Sequence, residues 1–208
     1  MGRSRIFVIR HGETEYNRLG LMQGRGIDAP LNRTGRDQAE AVRRYLAGYP
    51  VTRIVTSSLL RTRQTAEPLT SHFQLEPGHY EGLDEMNFGE FEGKNRLEIL
   101  DQMERAQERW KLGEVGWPIP GGESPAEVFE RANRAVMSQL DEYPDETIVF
   151  VVHGRVIRIL LSEWTGIGLR NMDQIEHSNG SINQLHWDGR SFSAVYLNRG
   201  DHLAEIIS

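Results

Sequence analysis

The chain has no cysteine. That excludes disulfides, thiolate metal sites and cysteine nucleophiles, and says little about compartment. Long hydrophobic runs are missing too. After the basic start Met1-Gly2-Arg3-Ser4-Arg5 only Ile6 to Ile9 are apolar, too few for a signal peptide or a membrane span, so a cytoplasmic protein with no membrane partner is expected. Positive charge is not in excess. With a formal net charge of −6 the chain lacks the electrostatic footprint of a nucleic-acid binder. There is no Gly-x-Ser-x-Gly elbow, no Walker loop and no His-Glu-x-x-His, and Gly89 and Gly93-Lys94 are too close for a P-loop and lack the following Ser/Thr. His72, His79, His177, His186 and His202 do not fall at metal-ligand spacing. No repeat, low-complexity tract or linker interrupts the chain.

What is present is an ordinary globular composition, 26% charged and 38% hydrophobic over 208 residues, which fits one domain spanning 1–208. Short β-branched runs predict strands at Ile6–Ile9, Arg53–Thr56, Thr147–Val152, Ile182–Trp187 and Phe192–Leu197. Asp188-Gly189 between the last two is a hairpin signal. Helices are expected from Thr34 as N-cap to Gly48, from Leu59 after the capping pair Ser57-Ser58 with a kink or break at Pro68, and over Asn95–Leu112. A further helix opens with the capping box Ser124-Pro125-Ala126-Glu127, and another covers about Val156–Thr165. Gly12–Asn32, Gly82–Gly93 and Gly116–Gly122 read as loops. The alternation predicts a three-layer α/β domain with a mostly parallel sheet.

The chemistry gathers where predicted strands end. Ile6-Phe7-Val8-Ile9 runs into Arg10-His11-Gly12-Glu13-Thr14, and Thr147–Val152 runs into His153-Gly154. Ligands in open α/β sheets bind beyond the carboxyl ends of strands, so the two imidazoles are expected at one sheet edge. Arg61 falls in the first turn of a helix, where free N–H groups and an arginine fork suit a phosphate dianion, and Arg10 offers a second fork. A phosphate pocket with a histidine at its floor suggests nucleophilic attack on phosphorus and a phosphohistidine. The leaving alkoxide then needs a proton, and Glu85, before a glycine-containing turn, is the candidate general acid.

In order and spacing these segments resemble the histidine phosphatase superfamily, in its phosphoglycerate mutase-like branch. Arg10-His11-Gly12-Glu13-Thr14 with Asn17 matches the first motif, and Gln23-Gly24, Asp28, Pro30-Leu31 and Gly35 follow. Ser57-Ser58-Leu59-Leu60-Arg61-Thr62-Arg63-Gln64-Thr65-Ala66 resembles the helix with the second phosphate arginine. Leu83-Asp84-Glu85, Phe88-Gly89 and Phe91-Glu92-Gly93 resemble the acid loop, Gly121-Gly122-Glu123-Ser124 a further segment, and His153-Gly154 the second histidine. The resemblance implies that His11 is phosphorylated, that Arg10, Arg61 and His153 hold the phosphoryl group with Asn17 and the Gln23-Gly24 backbone beside it, and that Glu85 is the acid. Gly154 is taken with His153 as part of the binding site. It implies an α/β/α sandwich with one antiparallel strand, and chemistry without metal or other cofactor.

Each residue also has a plainer reading. Arg61 alone would be a solvated helix residue, and Glu85 competes with Asp84, Glu90 and Glu92. Arg18, Arg25 and Arg33 either reach a distal anion of the substrate or are merely solvated. Trp110 and Trp117 suit core or lid packing. Three activities stay open: hydrolysis of a small phosphorylated metabolite, isomerisation by a phosphoglycerate mutase using the same phosphohistidine, and binding without catalysis. A binder would need neither His11 nor Glu85. The compact Gly93–Gly121 region, and an ending at Leu197–Leu203 like that of small phosphatases in the family, favour hydrolysis. The substrate itself is not readable, and a homodimer is compatible with the sequence.

Overall fold

The computed structural model describes residues 4–207; Met1 to Arg3 and Ser208, with the ends of the expected 1–208 domain and part of the basic start, lie outside them. Strands β1 (Ser4–Arg10), β2 (Arg53–Ser57), β3 (Gly78–Tyr80), β4 (Thr147–Val152), β5 (Ile182–Trp187) and β6 (Phe192–Arg199) form one sheet in the order β3-β2-β4-β1-β5-β6. All run parallel except β5, which is antiparallel to both neighbours. The sheet therefore has the one reversed strand expected.

The two central strands are apolar because helices cover both their faces. Side chains alternate across the pleat. Ile6, Val8, Ile148, Phe150 and Val152 pack on one face against helices α5 (Pro125–Glu142) and α6 (Gly154–Trp164). Phe7, Ile9, Val149 and Val151 pack on the other against Val42 and Leu46 of α2 (Arg33–Leu46) and Ala66 and Leu69 of α3 (Leu60–Phe73). Strands β1 and β4 pair in register from Arg5↔Thr147 to Arg10↔Val152, and the amide of His11 continues the ladder by donating to the Val152 carbonyl at 3.0 Å. The two His-Gly ends thus stand side by side.

Several boundaries differ from those expected. Helix α2 is capped by Asn32, whose side chain accepts from the Gly35 amide at 2.8 Å; Thr34 lies inside the first turn. The Gly12–Asn32 loop contains a short helix, α1 (Glu15–Arg18), closed by a Thr14/Asn17 capping box. Ser57 and Ser58 do not cap α3 in the ordinary way: the N-cap position is Leu59, and the Ser58 hydroxyl turns to Asp84. Pro68 neither ends nor interrupts α3, which runs on to Phe73. Helix α4 (Leu100–Lys111) starts five residues after Asn95, whose side chain instead accepts from the Leu97 amide in a turn. The capping box at Ser124/Glu127 forms as expected, and α6 begins at Gly154, directly after β4. A last short helix, α7, covers Ala204–Ile207. Among the described residues no helix is long and apolar enough to cross a membrane.

Candidate active site

A cavity of about 300 Å³ opens at the carboxyl ends of β1 and β4. Of the residues expected to form the site, Arg10, His11, Asn17, Gln23, Glu85 and Gly154 line it; Arg61 and His153 sit behind its wall, and Gly24 beside it.

His11 is buried at the floor. Its Nδ1 is 2.7 Å from the Gly12 carbonyl, which can only accept, so Nδ1 carries the proton and Nε2 keeps a lone pair. Burial, aided by the Arg61 and Arg10 guanidinia, holds its pKa well below the ordinary histidine value, so the ring is neutral at pH 7. The backbone around it is clamped. The Gly12 amide donates to Thr65 Oγ1 at 2.9 Å, and Asn179 Nδ2 donates to the His11 carbonyl at 3.0 Å. Gly12 also lies against Gly35, and a Cβ on either would strike neighbouring backbone.

His153 lies beside it, with ring centroids 5.2 Å apart. Its Nε2 meets Ser57 Oγ at 2.8 Å, while Nδ1 is buried without a protein partner. Burial and then Arg61 keep this ring neutral too. Arg10 lines the cavity with its Nε unpaired, and burial lowers its pKa to about 10, which leaves it charged at pH 7.

Arg61 departs from expectation. It is wholly buried, Nη1 donates to the Ile27 carbonyl at 2.7 Å and Nη2 to the Gly24 carbonyl at 3.2 Å. With the Gln23 amide turned so that its oxygen faces Arg61, that oxygen accepts from Nε at 2.7 Å and Nη1 at 3.0 Å. A guanidinium has five N–H groups, so at most one is free. Arg61 does not present a bidentate fork; it supplies buried positive charge and pins the Gln23–Ile27 loop.

Glu85 is held at the N-terminus of α6. One carboxylate oxygen accepts from the amides of Met86 at 2.8 Å and Val156 at 3.3 Å, the other from Arg155 at 3.1 Å. Its competitors are engaged elsewhere: Asp84 accepts from Ser58 and pairs with Arg25, and Glu92 accepts from the Phe88 amide. Asn17 Oδ1 accepts from the Thr14 amide and Asn179 Nδ2, which leaves its own Nδ2 as a donor for the cavity.

Arg18, Arg25 and Arg33 do not line the cavity. Arg18 pairs with Glu15 and Arg25 with Glu81 and Asp84, while Arg33 is exposed at the start of α2. Trp110 is core, its Nε1 donating to the Trp117 carbonyl, and Trp117 is half exposed under Arg109. Sequence reasoning missed Arg96, Arg155, Arg158 and His177, which all line the cavity. The signal for Arg155 and Arg158 was their spacing of three on a helix starting at Gly154, one turn from His153. Among the described residues no group of three or more His, Asp or Glu is placed to hold a metal ion.

Fold and site define a phosphomonoesterase of the phosphoglycerate mutase-like type. The chain belongs to the histidine phosphatase superfamily, branch 1, whose family model matches residues 6–200. It is 31% identical over 97% of its length to the Hydrogenobacter thermophilus protein named "Putative phosphoserine phosphatase 2", of which 98% is covered. It is 30% identical over 88% of its length to the Yersinia enterocolitica protein named "Probable phosphoglycerate mutase GpmB", 84% covered. The structure of mycobacterial glucosyl-3-phosphoglycerate phosphatase in complex with VO3 superposes with a TM-score of 0.85 at 28% identity, over 94% of this chain and 99% of that one.

Proposed function

We propose that this chain hydrolyses a small phosphomonoester in two steps through a phosphohistidine on His11. The observation that carries it is the neutral, Nδ1-tethered His11 in one cavity with Arg10 and Glu85. In the first step the Nε2 lone pair attacks phosphorus, an N–P bond forms and the ester P–O bond breaks. Arg10 and Asn17 Nδ2 meet the charge on the three equatorial oxygens, backed by the buried charge of Arg61 and the unpaired Nδ1 of His153. Glu85 gives its proton to the leaving alkoxide. In the second step Glu85 takes a proton from water, which attacks the phosphohistidine and restores His11.

Hydrolysis is favoured over isomerisation because one side of the cavity is formed by α4 and its preceding turn alone, where Leu100 is half exposed. A mutase must exclude water until its second acceptor is aligned. The same reading carries a small phosphorylated metabolite as partner and a cytoplasmic setting where such metabolites occur. Phosphate release from a panel of phosphomonoesters, with 3-phosphoglycerate isomerisation measured on the same preparation, tests it. Release is expected to exceed isomerisation and to need no 2,3-bisphosphoglycerate. Isomerisation stimulated by bisphosphoglycerate that outruns release on every substrate would install the mutase instead.

A further inference from the structure

The mechanism above uses one anion, yet the cavity is lined by guanidinia enough for two. Arg10 faces the ester phosphate. Arg96, Arg155 and Arg158 line the outer part, against Glu104 at the exposed rim. Arg155 and Arg158 share a single acceptor: Asp173 Oδ1 lies 3.0 Å from Arg155 Nη1 and 2.8 Å from Arg158 Nη1. One carboxylate balances only one of them. Arg96 makes no ion pair among the described residues, and Arg158 Nε is buried without a partner.

A purely structural brace would not need this set. Asp173 with either arginine would tie the 169–174 turn to α6, so the second guanidinium, itself largely desolvated, adds repulsion in return for one more bond to an acceptor that is already paired. Burial, and then repulsion from Arg155, lower the proton affinity of Arg158. His177 completes the wall. Its ring packs where a side chain at residue 154 would go, since a Cβ there would sit 2.6 Å from His177 Cε1, and its Nδ1 is buried and unpaired. Burial and Arg10 keep it neutral, so it can offer a hydrogen bond without adding charge. The facing wall is apolar, from Met22, Phe88, Ile99 and Met103, and suits a short carbon chain.

We propose that the alcohol half of the substrate carries a second anionic group, a carboxylate or a second phosphate, received by Arg155, Arg158 and Arg96 with His177 beside it. This deepens the proposed phosphatase activity and rests on it only in taking the first anion to be the ester phosphate.

Phosphonates are not hydrolysed, so they test the second site without turnover. Titration calorimetry would compare 3-phosphonopropanoate, propane-1,3-bisphosphonate and propylphosphonate on the native protein. At least one of the two-anion ligands is expected to bind at least about tenfold tighter than propylphosphonate; the tighter one says whether the second group is carboxylate or phosphate. Arg155→Gln should shrink that advantage several-fold more than it weakens propylphosphonate. Arg96→Gln, at an exposed residue, should do the same. Equal affinity for all three ligands, tighter binding of propylphosphonate, or an advantage untouched in both variants would overturn the proposal. Turnover of p-nitrophenyl phosphate on the same samples judges the phosphatase activity separately.

Discussion

His11 is bonded to its own neighbour: Nδ1 donates to the Gly12 carbonyl at 2.7 Å, so the same strand end that positions the ring also selects its tautomer. Nothing else has to be protonated or moved to make Nε2 a nucleophile. Incubation with a ³²P-labelled phosphomonoester and rapid quenching is therefore expected to leave acid-labile, base-stable label on the chain. His11→Ala should abolish both label and turnover. Substantial activity in that variant would remove His11 from the mechanism.

If Glu85 protonates the leaving oxygen, its loss matters only where the leaving group needs a proton. Glu85→Gln should depress kcat on alkyl phosphates by ~10²–10⁴-fold and on p-nitrophenyl phosphate far less. Parallel kinetics on both substrates check this, and equal losses would make Glu85 structural.

Arg10 and Arg61 should respond differently to the same change. Arg10→Lys replaces a fork facing the cavity by a point charge, so kcat/KM falls with little change in Tm. Arg61→Lys keeps the charge, but one ammonium cannot reach the Gln23, Gly24 and Ile27 oxygens that three separate nitrogens of Arg61 meet, and each one left unpaired costs about 1–3 kcal/mol in the buried limit. Tm should drop by several degrees. Differential scanning calorimetry beside steady-state kinetics separates the two, and a Tm loss confined to Arg10→Lys would contradict the assignment.

In the proposed mechanism positive charge at the phosphate comes from these arginines, so activity is expected to survive exhaustive chelation. Orthovanadate should inhibit as a mimic of the trigonal-bipyramidal transferring group. Loss on chelation that a divalent ion restores would require a different mechanism.

Acid should destabilise the fold through its buried imidazoles. His11 and His153 are held well below their unfolded value, and burial with Arg10 takes His177 to about 2. Below about pH 6.5 the unfolded chain binds protons that the folded chain refuses, so stability is full above that pH and falls as pH drops below it. Urea midpoints from pH 8 to 5 should decline, and His177→Gln should flatten the slope. A variant whose slope matches the native chain would place His177 in contact with solvent.

Much of this was legible because it is written in neighbouring residues. A β-branched run ending in His-Gly declares both a buried strand and the group at its end, and the Ser124-Pro125-Ala126-Glu127 start is wholly local. What was not legible depends on contacts between distant segments. Asn32 and Thr34 are both good caps, and contacts with the distant Gly12-Glu13 segment, which lies against Gly35 and bonds Asn32, accompany the choice of Asn32. Pro68 lies in a helix that packing against α2 and the sheet sustains, whatever its local preference. Arg61 has the expected place but another use, because its donors are taken by the carbonyls of Gly24 and Ile27, and that the Gln23-Gly24 segment folds back onto Arg61 is a contact between distant segments. The cations of the outer cavity were hidden for the same reason: Arg96 precedes α4, while Arg155 and Arg158 lie on α6.

The parallel pairing of Arg10 with Val152 makes the sheet a ruler for the reaction. Adjacent strands stand ~4.8 Å apart, and the two imidazole centroids stand 5.2 Å apart, almost one rung of the ladder. The gap between the proposed nucleophile and its neighbouring imidazole thus follows the main-chain hydrogen bonds in the middle of a six-stranded sheet. Half of the cavity is bedrock. Whatever adapts to one ester rather than another must belong to the rest of the lining, α4 with the turn before it and the outer side chains of α6, and divergence of substrate in such a molecule would be expected to leave its trace there while the histidines keep their spacing.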